Sequence, residues 1–292
     1  MPAAPRPRRS ALYMPGARAR ALEKARTLPA DVLILDLEDA VGPTEKAEAR
    51  RLVADALAQG GFGGREVTVR INGLDTPWGA EDVAAMAGAG AAALVVPKVN
   101  RPEDLAEISA RMDAAGAPAG TALWAMMETP AGIMAAREIA AAPRLACLVM
   151  GTNDLVKELG AEHTEGRAEV LPSLGFCLLA ARANGLAILD GVYNAYQDQA
   201  GLRAVCRQGR ALGFDGKTLI HPDQLAVTNE VFAPSAADLE LARRQLAAFE
   251  ETRAKGEAVA VVDGRIVENL HVETARALIA RAEAIAALDA GA

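Results

Sequence analysis

ALWAMMETPAGIMAAREIAAAPRLACLVMGTND, residues 122–154, carries the pattern from which the fold is read. Ala122–Glu128 and Leu145–Gly151 are short apolar runs rather than strict alternations. Ala131–Ala141 between them has helical period. A strand covered on both faces reads as a continuous apolar run, and such strands are usually parallel. Each run also ends in polar residues: Glu128 in the first, Thr152, Asn153 and Asp154 after the second.

The same unit recurs in both directions. Further strands are expected at Ala11–Pro15, Asp31–Asp39, Val67–Asn72, Ala92–Lys98, Leu186–Val192 and Lys217–Pro222. Helices are expected at Arg18–Leu28, Thr44–Ala58, Trp78–Ala89, Pro102–Ala114, Arg167–Asn184 and Gln199–Leu212. Pro43-Thr44 and Pro102 mark helix starts, and Gly185 and Gly213 stand where C-caps belong. Eight such units between residues 11 and 222 match a closed (β/α)8 TIM barrel, which typically needs about 250 residues. The rival is an open doubly wound sheet with a Gly-rich phosphate loop after its first strand. Met14-Pro15-Gly16-Ala17-Arg18 lacks the GxGxxG spacing. The fold class is therefore α/β, a barrel with a C-terminal helical lid extension. Residues 1–230 form the catalytic barrel, and 231–292 a lid and oligomerisation segment of helix Asp238–Lys255, hairpin Ala258–Val267 turned at Asp263-Gly264, and helix Val272–Leu288.

Composition narrows the function. Of 292 residues 51% are hydrophobic, too many for a disordered chain. No apolar run reaches the roughly 18 residues that span a bilayer. A net charge of −7 with 3% aromatics argues against nucleic acid as a partner, since phosphate contacts need a basic face. Cys147, Cys177 and Cys206 are odd in number with no CxxC spacing, so they read as small buried residues. MPAAPRPRRS has arginines but no apolar stretch after them; it reads as a loose arm, not a secretory signal, and the expected location is cytoplasmic.

In a barrel of this kind the site lies at the C-terminal strand ends. Those ends carry Asp36, Glu38 and Asp39; Arg70 and Asn72; Lys98; Glu128; Thr152, Asn153 and Asp154; Asp190; and His221. Any one of them is explained by capping the next helix. A ring of charges at one mouth is costly unless the members pair or hold a ligand. Glu128 and Asp154 end adjacent strands, and two hard carboxylates without nearby His or Cys suit Mg²⁺, or Mn²⁺. Asp36 or Asp39 is placed to hold a metal-bound water. Zinc is disfavoured, because His163, His221 and His271 have no ligand spacing. Arg70 either binds an anion or neutralises the Asp36/Glu38/Asp39 cluster, or does both. Lys98 reads equally as a Schiff-base lysine or a paired ammonium.

LYMPG (Leu12–Gly16), LDLEDAV (Leu35–Val41), VRIN (Val69–Asn72), VVPK (Val95–Lys98), METPAGI (Met127–Ile133), GTNDL (Gly151–Leu155) and GKTLIHPDQ (Gly216–Gln224) occur in this order. Together they resemble the citrate lyase β-subunit-like CoA-ester lyases of the HpcH/HpaI aldolase group, which include malyl-CoA, β-methylmalyl-CoA and citramalyl-CoA lyases and a malyl-CoA thioesterase. The resemblance implies a Mg²⁺-dependent barrel, a homotrimer or homohexamer whose lid reaches a neighbouring active site. It puts the metal on Glu128 and Asp154 and the substrate on Arg70, Glu128, Gly151, Thr152 and Asn153. It brings the coenzyme A moiety near Arg9, Tyr13, Arg18 and Lys24, with Arg70, Asp36, Asp263 and Glu268 as catalytic groups. Glu38-Asp39 replaces the Glu-His pair of HpaI-type aldolases. The lid departs from the family's DG-x-M-[IV]-D: it reads DGRIVEN from Asp263 to Asn269, with Ile266 for Met and Glu268 for the second Asp.

The implied reaction is cleavage, or formation, of a 3-hydroxy-3-carboxyacyl-CoA such as malyl-CoA. The products are a 2-oxoacid (glyoxylate or pyruvate) and acetyl- or propionyl-CoA. A lid carboxylate takes the hydroxyl proton and Arg70 offsets the developing charge. Hydrolysis of the thioester on the same scaffold is the second reading. A CoA-independent 2-oxoacid aldolase is the third, and a regulatory acyl-CoA-binding module the fourth.

Overall fold

The computed structural model describes residues 6–254 and 259–291. Residues 8–232 form one compact unit; residues 233–291, with Arg6 and Pro7, form a second.

The first unit is a closed eight-stranded parallel barrel in sequential order, with the eighth strand pairing back onto the first. Its strands are β1 (Ser10–Pro15), β2 (Val32–Asp36), β3 (Glu66–Arg70), β4 (Ala93–Val96), β5 (Ala122–Met127), β6 (Leu145–Met150), β7 (Ala187–Asp190) and β8 (Gly216–Leu219). The helices of this unit are α1 (Ala19–Ala25), α2 (Lys46–Gln59), α3 (Gly79–Met86), α4 (Pro102–Ala114), α5 (Pro130–Met134), α6 (Ala136–Ala140), α7 (Thr152–Leu159), α8 (Leu171–Ala183), α9 (Gln199–Leu212) and α10 (Leu225–Phe232).

The continuous apolar runs are explained by two buried faces. Along β2, Leu33 and Leu35 join the large cluster shared with the helices. Val32 and Ile34 point the other way, into an inner cluster with Ala11, Val95, Trp124, Met126 and Val149. Small inner residues such as Ala11 and Ala93 leave room for Trp124, which is fully buried. At the N-terminal end of the barrel Arg8 closes the interior. Its guanidinium pairs with Glu66 at 2.6 Å and lies 5.1 Å above the Trp124 ring.

Several boundaries differ from the sequence expectation. β2 stops at Asp36, so Glu38 and Asp39 stand on the following loop rather than in a strand. The expected helix Ala131–Ala141 is two short helices, broken at Ala135. α8 starts at Leu171, not Arg167, and the sequence reading contained neither α7 nor α10. Of the expected arm, Ser10 already belongs to β1, and Arg8 and Arg9 are anchored by ion pairs.

The second unit contains α11 (Ala236–Ala254), a two-stranded antiparallel hairpin of β9 (Ala260–Val262) and β10 (Arg265–Val267), and α12 (Asn269–Ala290). Lys255 and Ala258, expected ends of a helix and of the hairpin, lie outside the described residues. Strand alternation divides the hairpin. Ala260, Val262 and Val267 pack with Phe249 and Val272, whereas the cross-strand pair Val261 and Ile266 is exposed.

Candidate active site

A cavity of about 350 Å³ opens at the C-terminal ends of the barrel strands. The parallel register explains one wall. Asp36, the last residue of β2, is the direct partner of Arg70, the last residue of β3. Both point inward, and they form a bidentate pair: Arg70 Nε donates to Asp36 Oδ1 at 2.7 Å and Nη2 to Oδ2 at 2.6 Å. Arg70 Nη1 lies 2.9 Å from Glu38 Oε2 and 3.5 Å from Asp39 Oδ2. The Tyr13 ring stacks on the guanidinium at 4.6 Å. Burial alone would lower the Arg70 pKa, but Asp36 outweighs it and holds the guanidinium well above its ordinary value. Asp36 also accepts the main-chain N–H of Glu38 and Ala40, which ties down the loop after β2. The neutralising role offered for Arg70 is thus the one its contacts display.

The opposite wall is built differently. Glu128 follows β5 directly and is 2% exposed. Its Oε1 accepts the Lys98 main-chain N–H at 2.7 Å. Asp154 stands in the first turn of α7, across the end of β6, and lines the same cavity. Neither carboxylate has an ion-pair partner among the described residues. Burial, with Glu38 and Asp154 nearby, pushes the Glu128 carboxyl up to about 8. Two hard oxygen ligands, one buried and without its own cation, fit a divalent ion whose other positions are filled by water and substrate. No group of three or more His, Cys, Asp or Glu forms a metal cluster among the described residues, so the pair stands alone.

Gly151, Thr152 and Asn153 sit where β6 passes into α7. The first main-chain N–H groups of a helix have no carbonyl within the helix to accept them. The start of α7 therefore presents donors and a positive dipole end beside the two carboxylates. Asn153 exchanges both amide hydrogen bonds with Asn194, at 3.1 and 3.0 Å. Met126, Met150, Val192 and Ile220 supply the apolar lining.

The other expected positions scatter. Tyr13, expected near the coenzyme A moiety, faces the cavity, and burial raises its pKa. Arg9 was also expected near the coenzyme A moiety. It precedes β1 and so lies at the opposite end of the barrel, roughly 15–20 Å along the strand from the mouth. Its Nη2 pairs with Asp31 at 2.8 Å and it is buried. Arg18 stands exposed at the start of α1, paired with Glu45, whereas Lys24 is in that helix's last turn. Asp190 does not face the mouth; it is enclosed behind the strands by Arg167 and Lys217 at 2.7 and 3.0 Å. Asp263 and Glu268 belong to the second unit. Asp263 is engaged by both terminal nitrogens of Arg244, at 2.8 and 2.6 Å, while Glu268 is exposed at the start of α12.

One supporting residue, Lys46, was not among the sequence expectations, and Gly151, which was, has a further steric role. Lys46 Nζ donates to Leu37 O, Glu38 O and Asn72 Oδ1, fastening the acidic loop from below. Its position in a buried stripe with Ala49, Val53 and Ala56 was the available signal. Gly151 is required sterically, because a Cβ there would lie 2.1 Å from Glu128 Oε2.

Known proteins resemble this chain over nearly its whole length. A (3S)-malyl-CoA thioesterase of Cereibacter sphaeroides is 57% identical over 284 residues, covering 97% of this chain and 98% of that protein. Citrate lyase subunit beta of Escherichia coli is 36% identical, covering 95% and 94%. Among solved structures, CitE of Mycobacterium tuberculosis in complex with magnesium, acetoacetate and coenzyme A superposes with a TM-score of 0.76 at 30% identity, covering 94% of this chain and 97% of that one. Residues 9–222, which hold the barrel and both walls of its mouth, match the HpcH/HpaI aldolase/citrate lyase family. The chain belongs to that family, as an enzyme acting on CoA esters.

Proposed function

We propose that this enzyme is a divalent-cation-dependent thioesterase acting on malyl-CoA or a close relative, rather than the carbon–carbon lyase that the sequence motifs put first. The observation that carries this reading is the 57% identity, over nearly the whole of both chains, to a protein named (3S)-malyl-CoA thioesterase. It revives the second sequence reading. The altered lid, with Glu268 for Asp and Ile266 for Met, is consistent with chemistry that has moved away from cleavage.

Glu128 and Asp154 would hold Mg²⁺ or Mn²⁺, which supplies charge neutralisation and polarisation of substrate oxygens. The start of α7 receives the malyl carboxylate on its main-chain N–H groups. Arg70, whose guanidinium is held by Asp36 and Glu38, keeps the acidic wall of the mouth neutralised and in place beside the substrate. Arg18, exposed beside the mouth, takes the coenzyme A diphosphate.

Water adds to the thioester carbonyl carbon as a carboxylate removes its proton. The carbon–sulfur bond then breaks and the coenzyme A thiolate takes the proton, giving free malate and free coenzyme A. Glu268 is the carboxylate we assign as base. It continues the exposed hairpin face of Val261 and Ile266, an apolar surface suited to covering the mouth of a neighbouring copy in a homo-oligomer. Asp263 is the poorer candidate, because the Arg244 beside it holds its carboxyl below the ordinary range. No helix among the described residues is long and apolar enough to cross a membrane, and we place the enzyme in the cytoplasm.

Product analysis separates the two reactions. Incubation with malyl-CoA and Mg²⁺ is expected to release free thiol and malate in equal amounts without glyoxylate. Glyoxylate with acetyl-CoA and no free thiol would restore the lyase reading, which the 36% identity to a citrate lyase subunit beta also supports.

A further inference from the structure

Glu128 is held from two sides. On one, the Lys98 main-chain N–H meets Oε1 at 2.7 Å. On the other, the bare Gly151 Cα leaves room for Oε2, which a Cβ would meet at 2.1 Å. The side chain is thus wedged between the turn after β4 and the start of α7, with Oε1 engaged and Oε2 left for a ligand. Lys98 reaches this position only by adopting φ of 50°, the left-handed region that side chains other than glycine, Asn and Asp rarely occupy. Its ammonium lies 3.6 Å from Glu38 Oε1, on the loop that packs around Arg70. Glycine would hold the backbone without strain but would lose that tether. The strained lysine links the paired wall of the mouth to the unpaired one.

We propose that Lys98 is a positioning residue for the cation ligand Glu128: its left-handed backbone aims the amide at Oε1 and so fixes the oxygen that faces the metal. This rests on the metal reading given above. It adds to the paired ammonium considered for Lys98 from the sequence, which the contact with Glu38 displays.

The test is Mn²⁺ titration of the full chain by electron paramagnetic resonance, with folding followed by circular dichroism. Lys98→Val, a β-branched residue that resists positive φ, is expected to weaken Mn²⁺ binding about tenfold or more, as loss of an orienting partner does. Lys98→Gly keeps the amide and adopts positive φ freely, so it is expected to bind more tightly than Lys98→Val. Equal affinity in wild type and Lys98→Val overturns the proposal. Equal weakening in the Gly and Val variants assigns the effect to the ammonium and also overturns it. Should Lys98→Val not fold, Lys98→Ala is set against Lys98→Gly, and the same order is required. Absence of Mn²⁺ binding by the wild-type chain would instead remove the metal reading itself, an outcome distinct from failure of the lysine's role.

Discussion

The two walls of the barrel mouth carry the same kind of residue in opposite electrostatic states. Asp36 and Glu128 both end apolar runs, and both are buried. Asp36 has a bidentate guanidinium and two main-chain N–H groups. Glu128 has one main-chain N–H and, among the described residues, no ion-pair partner. The first is finished as part of the fold, whereas the second keeps an oxygen without an ion-pair partner among the described residues, the position our proposal gives to the cation. A buried carboxylate at a strand end is therefore no sign of function by itself; what distinguishes the two is the partner.

The sharpest way to break this comparison is to neutralise each acid in turn. Asp36→Asn removes the main partner of a buried Arg70, and breaking such a pair costs about 3–5 kcal/mol. Urea unfolding without metal checks this; a loss below about 1 kcal/mol would mean that Glu38 and Asp39 suffice. Glu128→Gln, by contrast, is expected to leave metal-free stability unchanged or raised. It should weaken Mn²⁺ binding and kcat/KM by more than about 100-fold, beyond the loss caused by outer partners. Isothermal calorimetry and a thiol-release assay read the two quantities.

Gly151→Ala acts on Glu128 without touching its charge. The added methyl must displace Oε2. Metal affinity is expected to fall about 10-fold, with the barrel still folded by circular dichroism. The smallest expected effect is a pH modulation at a third buried acid, Asp190, which resembles Asp36. Burial would raise its pKa, but Lys217 and Arg167 outweigh this and hold it below the ordinary carboxylate value. Its contribution is present above the unfolded value of about 4 and is lost as pH falls further. The stability difference between wild type and Asp190→Asn should therefore be largest near pH 6 and shrink below about pH 4. A difference that grows on acidification would reverse the assignment.

Much of the barrel was legible because both faces of each strand are buried, which writes the strands as continuous apolar runs. The mouth acids were legible for the same reason, since polarity begins where the run stops. Their pairing was not. Asp36 meets Arg70 through register between strands separated by α2, and local sequence does not encode that register. α7 was missed because Thr152 opens the helix immediately after β6 and Gly151, with no loop to announce it. The end of the barrel at which Arg9 stands was legible too. A residue that precedes the first strand lies at the barrel end away from the site, whatever charge it carries.

The central claim is that Glu128 and Asp154 together hold one divalent cation. Anomalous scattering from a crystal soaked in Mn²⁺ tests it most directly. A single peak within about 2.0–2.4 Å of an oxygen of each carboxylate is the expected result. A peak placed at the Asp36–Arg70 wall, or none in the mouth while the protein remains ordered, would contradict it.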